Sequence, residues 1–195
     1  IKKQNSNLDI DLKKVKLHLD LKNISIKIKT KNPKIIIKDS DEIKLNEISS
    51  NISISSYFQN KFAIKNISIK SKNNEISSYI NFYIHLNNSL KLILLNQFLK
   101  KGTAKLNIDL NFDDSGKIKN NYSLIGNVSN AELQIPTDKT IKNLNFSFSV
   151  KDNDYKFEKI LFKYKEINFN SNALRIKKQK DNFIVKGNLK NKKDK

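Results

Sequence analysis

A chain of 195 residues is long enough for one sizeable hydrophobic core, and its lack of cysteine excludes a disulfide, a thiolate metal site and a cysteine nucleophile. The formal charge of +19 invites a nucleic-acid reading, but Arg175 is the single arginine and the lysines are spread along the chain instead of massed in one stripe. Lys, Asn and Ile dominate together, as an AT-rich coding sequence produces, so the charge reads first as a solvated face and second as attraction to an anionic membrane surface.

Residues 1–7 are polar and are expected to be frayed. Leu8, Ile10 and Leu12 then alternate with polar residues, the period of two that marks a half-buried β-strand. The phase flips across Lys13-Lys14, which predicts a bulge or tight turn, and Val15, Leu17, Leu19 and Leu21 continue on odd numbers. Ile24, Ile26 and Ile28 form the next predicted strand, and Pro33 marks a turn before Ile35–Lys38. Asp39-Ser40-Asp41 ends that piece, and short strands follow around Ile43 and Leu45, Ile52 and Ile54, and Phe62 and Ile64. Ile67 and Ile69 lead into a hairpin turn at Lys72–Glu75, after which Tyr79–Leu86 reads as a long strand carrying Ile80, Phe82 and Ile84 on its apolar face.

One segment breaks the pattern. Residues 89–101 read as a helix, with Asn88 or Ser89 as cap, Lys100 and Lys101 at its negative end, and Gly102 as stop. It is too short to span a bilayer, so it either covers one end of the sheet or plugs the apolar face with Leu92, Leu95, Phe98 and Leu99. The strands resume at Ala104–Phe112, with Leu106, Ile108 and Leu110 apolar, and Asp113-Asp114-Ser115-Gly116 turns the chain into Ile118–Val128. Leu144, Phe146, Phe148 and Val150 alternate, Asp152-Asn153-Asp154 turns again, and Ile160, Phe162 and Tyr164 follow. Leu174 and Ile176 precede a last turn into Phe183 and Val185, and residues 190–195 are a charged tail.

These elements predict an all-β chain: one antiparallel sheet of about twelve strands over 8–189, with one short helix near 89–101. A repeated pattern, Lys22-Asn23-Ile24-Ser25-Ile26, Lys65-Asn66-Ile67-Ser68-Ile69 and Lys142-Asn143-Leu144-Asn145-Phe146, suggests an internal repeat. A sheet this wide cannot leave one apolar face in water. A sandwich favours more turns of glycine and proline than 4 Gly and 2 Pro supply, and a membrane barrel places aromatic residues at strand ends, whereas Phe146, Phe148 and Phe162 lie mid-strand. An open groove curled like a taco remains, lined by Leu17, Leu19, Ile24, Ile26, Ile67 and Ile69, by Ile80, Phe82 and Ile84, by Leu106, Ile108 and Leu110, and by Leu144, Phe146, Phe148, Phe162, Phe183 and Val185.

The long alternating strands, the apolar helix before Gly102, and the run Tyr122-Ser123-Leu124-Ile125-Gly126-Asn127-Val128 after Ala104–Phe112 resemble the AsmA-like and TamB-like proteins of the Gram-negative envelope, kin to the bridge-like lipid-transfer proteins. The resemblance implies a periplasmic β-groove passing phospholipids between inner and outer membranes. It further implies neighbouring β-repeats of the same chain, an inner-membrane anchor outside this piece, and no catalytic residue. The absence of methionine fits a fragment or processed product, and no apolar run reaches the ~18 residues of a membrane span.

The residues carry no enzyme constellation. His18 and His85 fall on polar faces of their predicted strands, and Asp39/Asp41, Asp113/Asp114 and Asp152/Asp154 lie in turns, where Asp caps backbone groups. No metal, cofactor or nucleic-acid partner is therefore expected; Tyr79 and Tyr83 are the aromatics on the solvent face that an RNA-binding sheet would require. The competing expectation is a structural or adhesive β-sandwich with a dry core.

Overall fold

A computed structural model describes residues 8–37, 42–87, 90–135, 139–151, 154–179 and 182–192. The strands are β1 (Leu8–Asp11), β2 (Lys14–Asp20), β3 (Ser25–Lys31), β4 (Lys34–Ile37), β5 (Glu42–Ser53), β6 (Ile64–Ser71), β7 (Asn74–Glu75), β8 (Leu99–Asn111), β9 (Ser123–Ile135), β10 (Lys139–Lys151), β11 (Asp154–Tyr164), β12 (Ile167–Gln179), β13 (Asn182–Gly187) and β14 (Lys190–Lys192). Three helices interrupt them: α1 (Ile54–Phe58), α2 (Ile76–Leu86) and α3 (Leu90–Phe98). Among the described residues all 14 strands belong to one antiparallel sheet, open and not closed into a barrel. The all-β, open-sheet expectation holds.

Four expectations are corrected. Tyr79–Leu86 is not a strand but the body of α2, so Ile80, Phe82 and Ile84 leave the sheet. Its apolar residues also satisfy a helical spacing, Ile76, Tyr79 and Ile80, and packing against the sheet selects that period over the alternation. The helix expected over 89–101 ends at Phe98, and Leu99 opens β8 opposite Leu133. Ile24 is not in a strand: it occupies the β2–β3 turn at a φ of 45°, is 55% exposed, and leaves the ladder to begin at Ser25. Ile54 starts α1, whose cap is Ser53, with the Ser56 N–H donating to Ser53 Oγ at 3.2 Å.

Other turns form where the residues place them. Asp113 Oδ1 accepts from the Ser115 N–H (2.8 Å), the Ser115 hydroxyl (2.7 Å) and the Lys117 N–H (3.0 Å). Ile118 makes only an isolated bridge to Phe112, and the next strand starts at Ser123. Lys190–Lys192, within the stretch read as a loose tail, pair with Asn168–Asn170 of β12. Asp39, Asp41 and Asp152, like residues 1–7, lie outside the described residues.

A line of irregularities crosses the strands. Lys13, Asn32, Asn130, Asn143 and Lys159 have φ between 51° and 54°, and Gly102 has a φ of 140°. Asn130, Asn143 and Lys159 sit where one strand carries an extra residue against a neighbour. Lys13 and Asn32 lie between the pairs Asp11↔Lys34 and Lys14↔Lys31, and Gly102 lies between Lys101↔Glu132 and Thr103↔Ser129. Asn143 lies between Ile141↔Leu133 and Leu144↔Ala131, and Lys159 between Ser147↔Glu158 and Asn145↔Leu161. An extra residue bends a strand and reverses its alternation, so apolar positions switch from Ile141 to Leu144 and from Phe157 to Ile160, while the left-handed residues Lys13 and Asn32, facing across an even break, accompany the switch from Ile10 to Val15. The sheet is therefore creased transversely, and the flip read at Lys13 is one point on that crease.

The helix α2 is pinned beside the crease by a buried polar knot. The Tyr79 hydroxyl donates to Ser71 Oγ (2.7 Å), which also accepts from the Leu106 N–H (2.7 Å). The Asn74 side chain accepts from the Lys44 N–H (2.8 Å) and donates to the Lys44 carbonyl (3.0 Å) and to the Tyr79 oxygen (2.9 Å). Gly102 permits the approach: a β-carbon there would stand 2.9 Å from Ile76 Cδ1 and 2.7 Å from Ala131 Cα.

Candidate functional site: an apolar lane across the sheet

Directly paired residues point to the same face, so the registers define which side chains form a row. One row crosses ten strands: Val15, Thr30, Ile48, Ile69, Ile108, Leu124, Val150, Tyr155, Ile176 and Val185. Every member but Thr30 is apolar or aromatic. A second row, Leu17, Ile28, Ser50, Ile67 and Leu110, flanks it on β2 to β8. A third, Leu106, Gly126, Phe148, Phe157 and Leu174, flanks it on the other side from β8 to β12. Gly126 leaves a gap that the Phe148 ring fills, since a β-carbon there would lie 2.6 Å from its Cε1.

At ~4.8 Å per strand, nine intervals make this lane about 43 Å long, shorter than the roughly 58 Å that twelve strands would give. Aromatic rings strengthen it: Phe146 lies 6.0 Å from Phe148 and 5.8 Å from Phe157 between ring centres. Beyond the crease, Phe162 stacks on Phe169 at 5.0 Å, so it belongs to a separate patch and not to the lane. Leu144 sits at the crease itself, opposite Ala131. Leu19 faces Ile26 at the β2 end, and Phe183 lies on β13 opposite Lys178 at the far end.

The lane is only half-buried. Among the described residues the fully buried hydrophobics are Leu8, Ile37, Ile43, Leu45, Ile80, Ala104 and Ala131, none of them in the lane's central row. Its two ends are the most open, with Leu17 70% and Phe183 60% exposed. The chain's surface of 13733 Å² compares with roughly 9,500 Å² expected for a compact monomer of this mass.

The opposite face is mostly polar and ion-paired, with Ile125 and Ile184 as exposed apolar side chains on it. Lys29 reaches Glu47 at 2.6 Å, Lys156 reaches Glu158 at 2.7 Å, and Arg175 Nε donates to Asp154 at 2.8 Å. These cations hold the Glu47 and Asp154 carboxyls below their ordinary range. His18 pairs across strands with Lys27 on this face, beside a shallow hollow that includes Asp20, Asn23 and Lys65. His85 is on α2, where its Nδ1 lies 2.8 Å from the Asn81 carbonyl. Among the described residues no three His, Asp or Glu side chains gather as a metal site requires.

Of the residues expected to line a groove, the structure brings Leu17, Ile67, Ile69, Leu106, Ile108, Leu110, Phe148 and Val185 into these rows. It leaves Ile24, Ile80, Phe82 and Ile84 outside them. Of the central row, sequence reasoning missed Val15, Thr30, Ile48, Leu124, Val150, Tyr155 and Ile176; each alternates within its own strand, but only pairing places it in a row. Of the expected plug, Leu92, Leu95 and Phe98 are on α3, and α3 contacts α2, β8 and β9. No described helix is long and apolar enough to cross a membrane. Comparison with known protein families, curated proteins and solved structures finds no match to this chain.

Proposed function

We propose that this chain is a non-enzymatic section of a lipid conduit, in which phospholipid acyl chains lie along the apolar lane while headgroups stay in water. The observation that carries this reading is the ten-strand row from Val15 to Val185, continuous, apolar or aromatic at every position but the buried Thr30, and otherwise partly exposed. Continuity matters because each methylene exposed to water costs ~0.8 kcal/mol. A gap exposing four methylenes would cost about 3 kcal/mol, a roughly 200-fold slowing if it lay at the barrier. The sandwich alternative needs a second layer, and among the described residues every strand belongs to one sheet.

The resemblance to AsmA-like and TamB-like proteins extends the proposal to its setting. The section would work in the periplasm of a Gram-negative envelope, joined to neighbouring β-repeats and anchored in the inner membrane through a segment outside this chain. It would need no cofactor and no nucleic acid.

Native mass spectrometry of protein purified without detergent, with organic extraction of what it carries, tests the proposal. Bound phospholipid in more than one copy is the expected result. Phe146→Asp places a charge beside the Phe148 and Phe157 rings and should lose most of that lipid while the sheet still folds. A clean apo mass from a stable monomer would overturn the reading.

A further inference from the structure

The α2–α3 pair carries exposed apolar side chains outside the sheet. Tyr83 and Leu86, three residues apart on α2, are each 48% exposed. Leu90 and Leu94, four apart on α3, are 69% and 44% exposed, with Leu95 beside them. The helix α3 has no fully buried residue although it is apolar around most of its circumference. The two helices are tied together by Asn96 Nδ2 donating to Asn81 Oδ1 at 2.9 Å, so the surface is held as a unit.

Charge says what this surface meets. From Ile76 to Ile108 the sequence contains no Asp or Glu, while Lys91, Lys100, Lys101 and Lys105 lie within it. Lys101 pairs with Glu132 at 3.0 Å, whereas Lys91 and Lys100 are exposed and form no ion pair among the described residues. Leucine and tyrosine flanked by unpaired lysines is the chemistry of an element lying in the interface of an anionic bilayer, with apolar side chains among the upper acyl chains and ammonium groups at the phosphates.

We propose that α2 and α3 dock this chain onto an anionic phospholipid bilayer through Tyr83, Leu86, Leu90 and Leu94. Because the Tyr79 knot fixes α2 to the sheet beside the crease, docking would hold the sheet close to the membrane surface. The proposal is independent of what the lane carries.

Vesicle flotation of the 195-residue chain tests it. The chain should float with vesicles of phosphatidylcholine and phosphatidylglycerol in equal parts, much less with phosphatidylcholine alone, and less as salt rises. The double substitution Leu90→Asp/Leu94→Asp, at exposed positions, should weaken vesicle binding roughly a hundredfold. Tyr57→Asp/Phe58→Asp, at exposed positions on α1 outside both the lane and the helix pair, should leave it unchanged. Since the chain has no tryptophan, Leu94→Trp gives a single reporter whose emission should shift to the blue and be quenched by lipids brominated on their acyl chains. Extraction of lipid from the Leu90→Asp/Leu94→Asp protein reads the lane separately. Binding that survives the double substitution, a reporter that stays in water, or leucine-dependent dimers without vesicle binding would overturn the proposal.

Discussion

Thr30 is the one polar side chain in an otherwise apolar row, and its hydroxyl is buried without a hydrogen-bond partner. An unpaired buried hydroxyl forfeits its hydration, so Thr30→Val, which keeps the shape, should stabilise the fold by about 1 kcal/mol in urea denaturation. A neutral or destabilising result would mean the hydroxyl has a partner in solution. Tyr79 is the opposite case, a half-buried hydroxyl fully engaged in the knot with Ser71 and Asn74. Burial pushes its pKa above the ordinary value of 10.0, so the folded state holds the proton more tightly than the unfolded chain. Stability from this group is therefore complete below about pH 10 and is lost as pH rises through the folded value. Tyr79→Phe should cost about 1 kcal/mol at neutral pH and flatten the alkaline limb of the stability curve.

The strands, their antiparallel pairing and the turn at Asp113–Gly116 were legible because alternation and Asp-Gly chemistry are local signals. Tyr79–Leu86 was not, since its residues satisfy both periods and only the buried contact of Ile80 and Tyr79 with the sheet decides between them. The crease was legible at one point, Lys13, but its extension through Asn32, Asn130, Asn143 and Lys159 depends on pairing across the sheet. The lane was legible strand by strand and not as a row, for the same reason. Asparagine tolerates a left-handed conformation better than most residues, which accounts for three of the five non-glycine positions. The crease and α2 meet at Gly102, where a side chain would strike Ala131 and Ile76 and the φ of 140° disfavours any other residue. Gly102→Ala should therefore cost at least about 2 kcal/mol and lower the helical signal of α2, as read by denaturation and hydrogen exchange.

At the scale of the whole molecule, the fold is a wide open sheet with a small buried core, one ion-paired face and one apolar lane. The buried hydrophobics lie at the α2 end and along β1, β4 and the start of β5, so most stabilising burial is there, while the lane's side chains keep part of their surface in water. Such a division suits a sheet whose apolar face receives a mobile apolar ligand and would be wasteful in a closed domain. The alternation of the two faces offers the most direct test. A photo-crosslinking residue placed at Ile108, Leu124 or Val150 in living cells should capture phospholipid, whereas the same residue one position away, at Asp109, Ser123 or Ser149, should not. Equal capture on both faces, or capture of protein alone along the row, would contradict the conduit.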